Sequence, residues 1–218
     1  MKTLLLFFLA AWVLRAEARP QPAQRFILPN GLTVLLLEVH ERPLLRVRLH
    51  VSLTGADRSA ACPDLPERLL ACMDRSDRGG RKAKDFNLEL EDQGIQLHDS
   101  SSPKGMDWFV LARSRDQDLA MASLSDLLLR CVPDAYAWKN PGGVSWSDLQ
   151  AFQKRVLRPG NAILVLHGDL GLEQAKRLVL LTFGTWPAAS RPIPKALHPS
   201  PSPGAQALRA LLTPPPPV

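Results

Sequence analysis

RFILPNGLTVLLLEVHERPLLRVRLHVSL, residues 25–53, decides the fold. Phe26, Ile27 and Leu28 lead into Pro29-Asn30-Gly31, where Asn-Gly adopts the positive φ that a tight turn needs. An apolar run over 32–37 follows at strand length, and Val39-His40-Glu41-Arg42-Pro43 breaks it. From Leu45 to Leu53 the odd positions are apolar and the even ones polar, which is the period of a half-buried strand. This predicts two strands of an antiparallel sheet with one dry face and one wet face. Arg46, Arg48 and His50 share the wet face, most simply as solvated surface.

Ahead of this stretch the chain reads as a targeting segment. Lys2 is a basic start, residues 4–14 are an apolar core, and Ala16-Glu17-Ala18 is a small-residue cleavage site. That core is too short to span a bilayer. The expectation is a signal peptide over 1–18, a short leader over 19–24, and an exported protein, periplasmic or extracellular, with no transmembrane anchor. The formal charge of the chain is +6, and its arginines are spread rather than blocked together. Modest attraction to acidic segments follows, but a nucleic-acid site does not, since no aromatic residues interleave with basic ones. Cys62, Cys72 and Cys131 make an odd count, so at least one thiol is left over. Cys62 with Cys72 is a conceivable disulfide, buried thiols are the simpler expectation, and the absence of Cys-x-x-Cys argues against cysteine-held zinc.

Downstream, Leu65, Leu69, Cys72 and Met73 give residues 65–73 a short apolar helical face. Residues 74–81 are charged; their Gly79-Gly80 flanked by arginines suits an anion, but no strand precedes it, so a flexible surface turn is expected. A second helix runs over 83–93, counting Phe86, Leu88 and Leu90 as apolar and stopping at Gly94, with Glu89, Glu91 and Asp92 as a solvated acidic face. Strands are expected over 95–100 and 106–113, then a long helix over 116–130 that buries Leu119, Met121, Ala122, Leu124, Leu127 and Leu128. Ser145 and Asp148 have the capping-box form ahead of Leu149, Phe152 and Val156. A strand over 162–167 and a helix over 172–183 close the order, and from residue 188 a Pro-rich tail replaces any core-forming pattern. The class is α+β, a mostly antiparallel sheet with helices packed on one face.

Taken in order, Asn30-Gly31-Leu32, residues 43–53, Leu90-Glu91-Asp92-Gln93-Gly94, residues 145–152, Arg158-Pro159-Gly160-Asn161, Leu164 through Asp169, and Phe183-Gly184-Thr185-Trp186-Pro187 resemble the insulinase/pitrilysin-type peptidases of family M16. The resemblance spans residues 25–187 and implies one LuxS/MPP-like M16 metallopeptidase domain, shortened around 132–144. It also implies zinc, held by His-x-x-Glu-His on a helix plus a distant glutamate, with the motif glutamate activating water. Here the matching positions read Arg68-Leu69-Leu70-Ala71-Cys72: Arg68 replaces the first histidine, Ala71 the general base and Cys72 the second histidine. A guanidinium has no lone pair for zinc and alanine takes no proton. His40, His50, His98, His167 and His198 show no i, i+3 or i+4 pairing that would rebuild a site.

The expectation is therefore no bound zinc, no catalytic residue and a binding or assembly role. By resemblance the partner is a homologous M16-type subunit or a second copy, and a peptide or protein segment is the class of ligand, met by Arg46, Arg48 and His50 on the sheet surface. The competing reading is an active zinc endopeptidase of the M16 type with displaced ligands.

Overall fold

The computed structural model describes residues 22–57, 62–131, 138 and 144–188. The expected signal peptide over 1–18, the first half of the leader, nearly all of the shortened segment over 132–144 and all but the first residue of the Pro-rich tail lie outside the described residues. Six strands and five helices follow in the order β1 (Gln24–Ile27), β2 (Thr33–Glu38), β3 (Leu44–Ser52), α1 (Leu65–Arg75), α2 (Ala83–Asp92), β4 (Gln96–Ser102), β5 (Gly105–Arg113), α3 (Gln117–Leu129), α4 (Trp146–Val156), β6 (Ala162–Gly168) and α5 (Leu172–Phe183). The strands form one sheet in the order β1-β2-β6-β3-β5-β4. Only β2 and β6 run parallel; every other neighbouring pair is antiparallel.

The four strands expected to share a sheet do so. The residues before the Asn-Gly turn form a further edge strand, β1, that pairs back on β2. The two opening strands are not neighbours, because β6 slots between them and pairs with both. The reason lies in their side chains. β2 and β6 are apolar on both faces over their middles, with Val34, Leu35 and Leu36 buried on one and Leu164, Val165 and Leu166 on the other, which is how a strand flanked on both sides reads. β3 alternates strictly, burying Leu45, Val47, Leu49 and Val51 against the helices. The glycine closing β6 is forced by a close approach: at Gly168, φ is +142° and an added Cβ would lie 2.0 Å from the Leu44 carbonyl oxygen, a contact only glycine permits.

The helices cover the inner face. α3 packs on β5 and on α5, α5 reaches β2, and α1 and α2 lie against β4 at the sheet's edge. α3 buries Met121, Leu124, Leu127 and Leu128 as expected, while Ala122 and Leu119 are only half-buried and Ser123 and Ser125 take the buried turns between. Leu88 is a clearer correction, 47 % exposed; α2 turns Phe86 and Leu90 to the core, and position 88 falls on the opposite side of the helix. At α4 the capping box is complete, with the Ser145 hydroxyl accepting from the Asp148 backbone N–H and the Asp148 carboxylate accepting from the Ser145 N–H.

Candidate functional site

Helix α1 holds the positions where the resemblance implies metal ligands. Its buried residues Leu65, Leu69, Leu70, Cys72 and Met73 dock it, so of positions 68, 71 and 72 the first two lie at the surface and the third in the core. Arg68 donates through Nε to Asp64 Oδ2 at 2.8 Å and through a terminal nitrogen at 2.7 Å, one turn back. The Cys62 thiol donates to the other Asp64 oxygen at 3.2 Å. Hydrogen bonding from Arg68 holds the Asp64 carboxyl below its ordinary value. Ala71 is exposed and Cys72 is buried in the core. This donor set does not fit a zinc ion: it offers one buried thiol, a cation already committed to a carboxylate and a methyl group.

The charged segment after α1 is not the loose surface turn expected. Arg78 is 1 % exposed. It donates to the Met73 and Asp74 carbonyls and to Asn87, with its guanidinium 4.6 Å from the Phe86 ring centre. Arg81 stacks on the same ring from 5.0 Å and pairs with Glu89 and Asp126. Arg78 is thus spent inside the protein and the partly exposed Arg81 on two carboxylates, so Glu89 is paired rather than free in solvent. Beside them, burial and then the neighbouring Asp74 push the Asp99 carboxyl on β4 up to about 6. All three cysteines are free and buried, and burial pushes the Cys131 thiol up to about 11.

The outer face of the sheet can be mapped from its register. Reading from β2 to β4, one row is Leu37, His167, Arg46, Leu111 and Gln96; the next is Leu35, Val165, Arg48, Phe109 and His98; the third is Thr33, Ile163, His50, Asp107 and Ser100. Arg46, Arg48 and His50 therefore do share a face, but only half of that face is polar. On the β2–β6 side Leu35 and Val165 are buried and Ile163 packs against them. On the other side Asp107, 5 % exposed, takes Arg48 Nε at 2.8 Å and His50 Nδ1 at 2.9 Å on one carboxylate oxygen. Burial alone would raise the Asp107 carboxyl, yet hydrogen bonds from His50 and Arg48 hold it below its ordinary value. Arg48 also lies 5.0 Å over the Phe109 ring. Of the three, only Arg46 is exposed. Asp107 was missed in the sequence because it interrupts an apolar strand, and only the β3–β5 register shows that it faces His50.

The remaining histidines do not converge. His40 bridges Asp169 at 2.6 Å and Glu38 at 2.7 Å, and those hydrogen bonds, the Asp169 one first, raise its pKa. His167 is lowered, by burial and then by Arg46. His98 is exposed on the edge strand, and His198 lies outside the described residues. Among the described residues no three His, Cys, Asp or Glu side chains are arranged to hold a metal, and no helix is long and apolar enough to cross a membrane.

A second cluster gathers the motifs at the two ends of the domain. Asn30 Nδ2 donates to the Phe183 carbonyl at 2.8 Å and the Trp186 carbonyl at 3.1 Å, while its Oδ1 accepts from the Leu32 N–H at 3.2 Å. Trp186 is buried, stands 6.0 Å from the Phe183 ring and donates Nε1 to the Leu157 carbonyl at 3.3 Å. Asn161 Nδ2 reaches the Val156 carbonyl at 3.2 Å. Gly31 has φ +93°, and a Cβ added there would come to 3.8 Å from the Gly160 Cα. These motifs tie β1–β2, α4–β6 and α5 together; they hold the fold rather than a ligand.

The fold is that of M16 peptidase-like structures. A protease from Helicobacter pylori matches with a TM-score of 0.69 at 13 % identity, over 79 % of this chain and 52 % of that one. A peptidase M16 inactive domain from Pseudomonas fluorescens matches with a TM-score of 0.65 at 14 % identity, over 78 % and 53 %. The first half of the periplasmic protease PqqL from Escherichia coli matches with a TM-score of 0.65 at 13 % identity, over 80 % and 49 %. The chain thus spans about half the length of these structures. No curated protein matches the sequence. Residues 144–215 match the family described as the peptidase M16 inactive domain, so the M16 likeness seen along residues 25–187 has a sequence match in its closing part and a structural one throughout the described fold.

Proposed function

We propose that this protein is a non-catalytic M16 peptidase-like domain that binds a protein partner, a homologous M16-type subunit or a second copy, in an exported assembly. The observation that carries the reading is the chemistry of α1, where Arg68 is paired with Asp64, position 71 is alanine and the Cys72 thiol is buried. The protein holds no zinc and has no catalytic residue. The match to a family described as inactive supports this, and the periplasmic protease among the structural neighbours supports export. Removal of residues 1–18 accompanies that export.

The binding surface is the outer sheet face around Arg46, Arg48 and His50. Asp107 pairs with Arg48 and hydrogen-bonds His50, so attraction to an acidic segment rests on Arg46, with the apolar side of the face beside it. Each exposed charge contributes about 1 kcal/mol or less, and salt screens it.

Metal analysis and peptide hydrolysis on the purified full chain test the non-catalytic reading. The expected result is zinc well below one per chain and no cleavage; one tightly held zinc per chain that disappears in Cys72→Ala overturns it. For the surface, Arg46→Glu should weaken retention of a partner in low-salt pull-downs and leave it unchanged at high salt. Equal retention at low salt removes this face from the interaction.

A further inference from the structure

Between α3 and the end of α5 lies an open groove of about 590 Å³, lined among others by Ala122, Leu129, Leu181, Thr185, Trp186 and Pro187. Leu181 is 80 % exposed on its rim and Leu180 beside it is 52 % exposed, an unusual display for a helix that otherwise buries Ala175, Leu178, Val179 and Phe183. The groove is on the helical layer, opposite the sheet face that carries Arg46, and plays no part in the α1 or sheet chemistry.

We propose that this groove is the docking site of the chain's own segment Ala205-Gln206-Ala207-Leu208-Arg209-Ala210-Leu211-Leu212. Three observations select that occupant. The groove's wall ends in Thr185, Trp186 and Pro187, and the described chain runs out at residue 188, so the C-terminal remainder of the chain sets off from the groove itself. Beyond that point leucines cluster only at 208, 211 and 212, in a stretch free of proline and of acidic residues. The family match continues through residue 215, past the end of the described fold. The connecting residues 188–204, at about 3.3 Å of reach each, span the groove many times over. Tethering sets an effective concentration on the order of millimolar, which a second copy in dilute solution does not match.

Limited trypsin digestion of the folded full chain tests this at Lys195 and Arg209, which both precede alanine. Each rate is taken relative to that of a free peptide spanning the same bond, which removes the preference for arginine over lysine and the effect of Pro194. Cleavage after Arg209 should be about tenfold slower than after Lys195. Leu181→Asp, on an exposed position, should bring the two rates together and lower stability by no more than about 1.4 kcal/mol, to which tenfold protection corresponds. Equal rates in the parent chain, or a ratio that Leu181→Asp leaves unchanged, overturns the proposal. Protection of Arg209 that grows with protein concentration also overturns it and assigns the groove to a second copy.

Discussion

At the end of the domain Asn30 reaches across the chain to the carbonyls of Phe183 and Trp186, whereas on α1 Arg68 reaches no farther than Asp64, one turn away. Both regions carry M16-like sequence positions. In the first, part-buried Asn30 and buried Phe183 and Trp186 join over long sequence separations, so a change there is felt by three elements at once. In the second, Arg68 and Ala71 lie at the surface and pack against little, while Cys72 joins Leu65, Leu69 and Met73 in holding the helix to the core. Side chains at 68 and 71 can therefore change with little cost to the fold.

The contrast predicts unequal costs. Trp186→Ala should be the largest, about 3–5 kcal/mol, since it empties a buried ring site against Phe183 and removes a hydrogen bond to Leu157. Chemical denaturation reads it, and a loss under about 1 kcal/mol would mean that this cluster does not hold the fold. Asn30→Ala should follow at about 1–3 kcal/mol, from two carbonyls and one N–H left short of a partner. The same measurement on Asn30→Asp separates the parts, because the carboxylate keeps the acceptor for Leu32 but loses both donors.

A pH-dependent effect comes next, on the α1 side. Asp99 releases its proton at about 6 in the fold against 3.8 ordinarily, so between those values the native state binds more protons than the unfolded one. Stability contributed by the protonated carboxyl is therefore present at low pH and lost as pH rises through about 4 to 6. The expected loss is about 1 kcal/mol, because Asp99 is only partly buried and water screens its neighbour Asp74. Asp99→Asn should flatten the stability profile over that window; an unchanged slope would place the titration elsewhere. The smallest effect belongs to Arg68→Ala. It breaks a surface pair one helical turn apart and should cost less than about 1 kcal/mol. A cost near that of Trp186→Ala would erase the contrast between the two regions.

Much of this was legible in the chain. α5 runs over the residues its pattern marked, the capping box at Ser145 formed, and the α+β class and the four expected sheet strands follow from period and punctuation alone, because those signals are local. What only the tertiary structure decided were the pairings between distant segments. β6 enters between β2 and β3, although nothing in residues 25–53 names the strand that separates them. Asp107 meets Arg48 and His50 across a strand register that period-two alternation leaves open, since sliding one strand by two residues preserves every face. Arg78 and Arg81, expected as a loose basic turn, are drawn over Phe86 because the end of α1 brings a ring and carbonyls within reach of their guanidinium groups. Alternation states which side a residue faces; only the packed chain states what it faces.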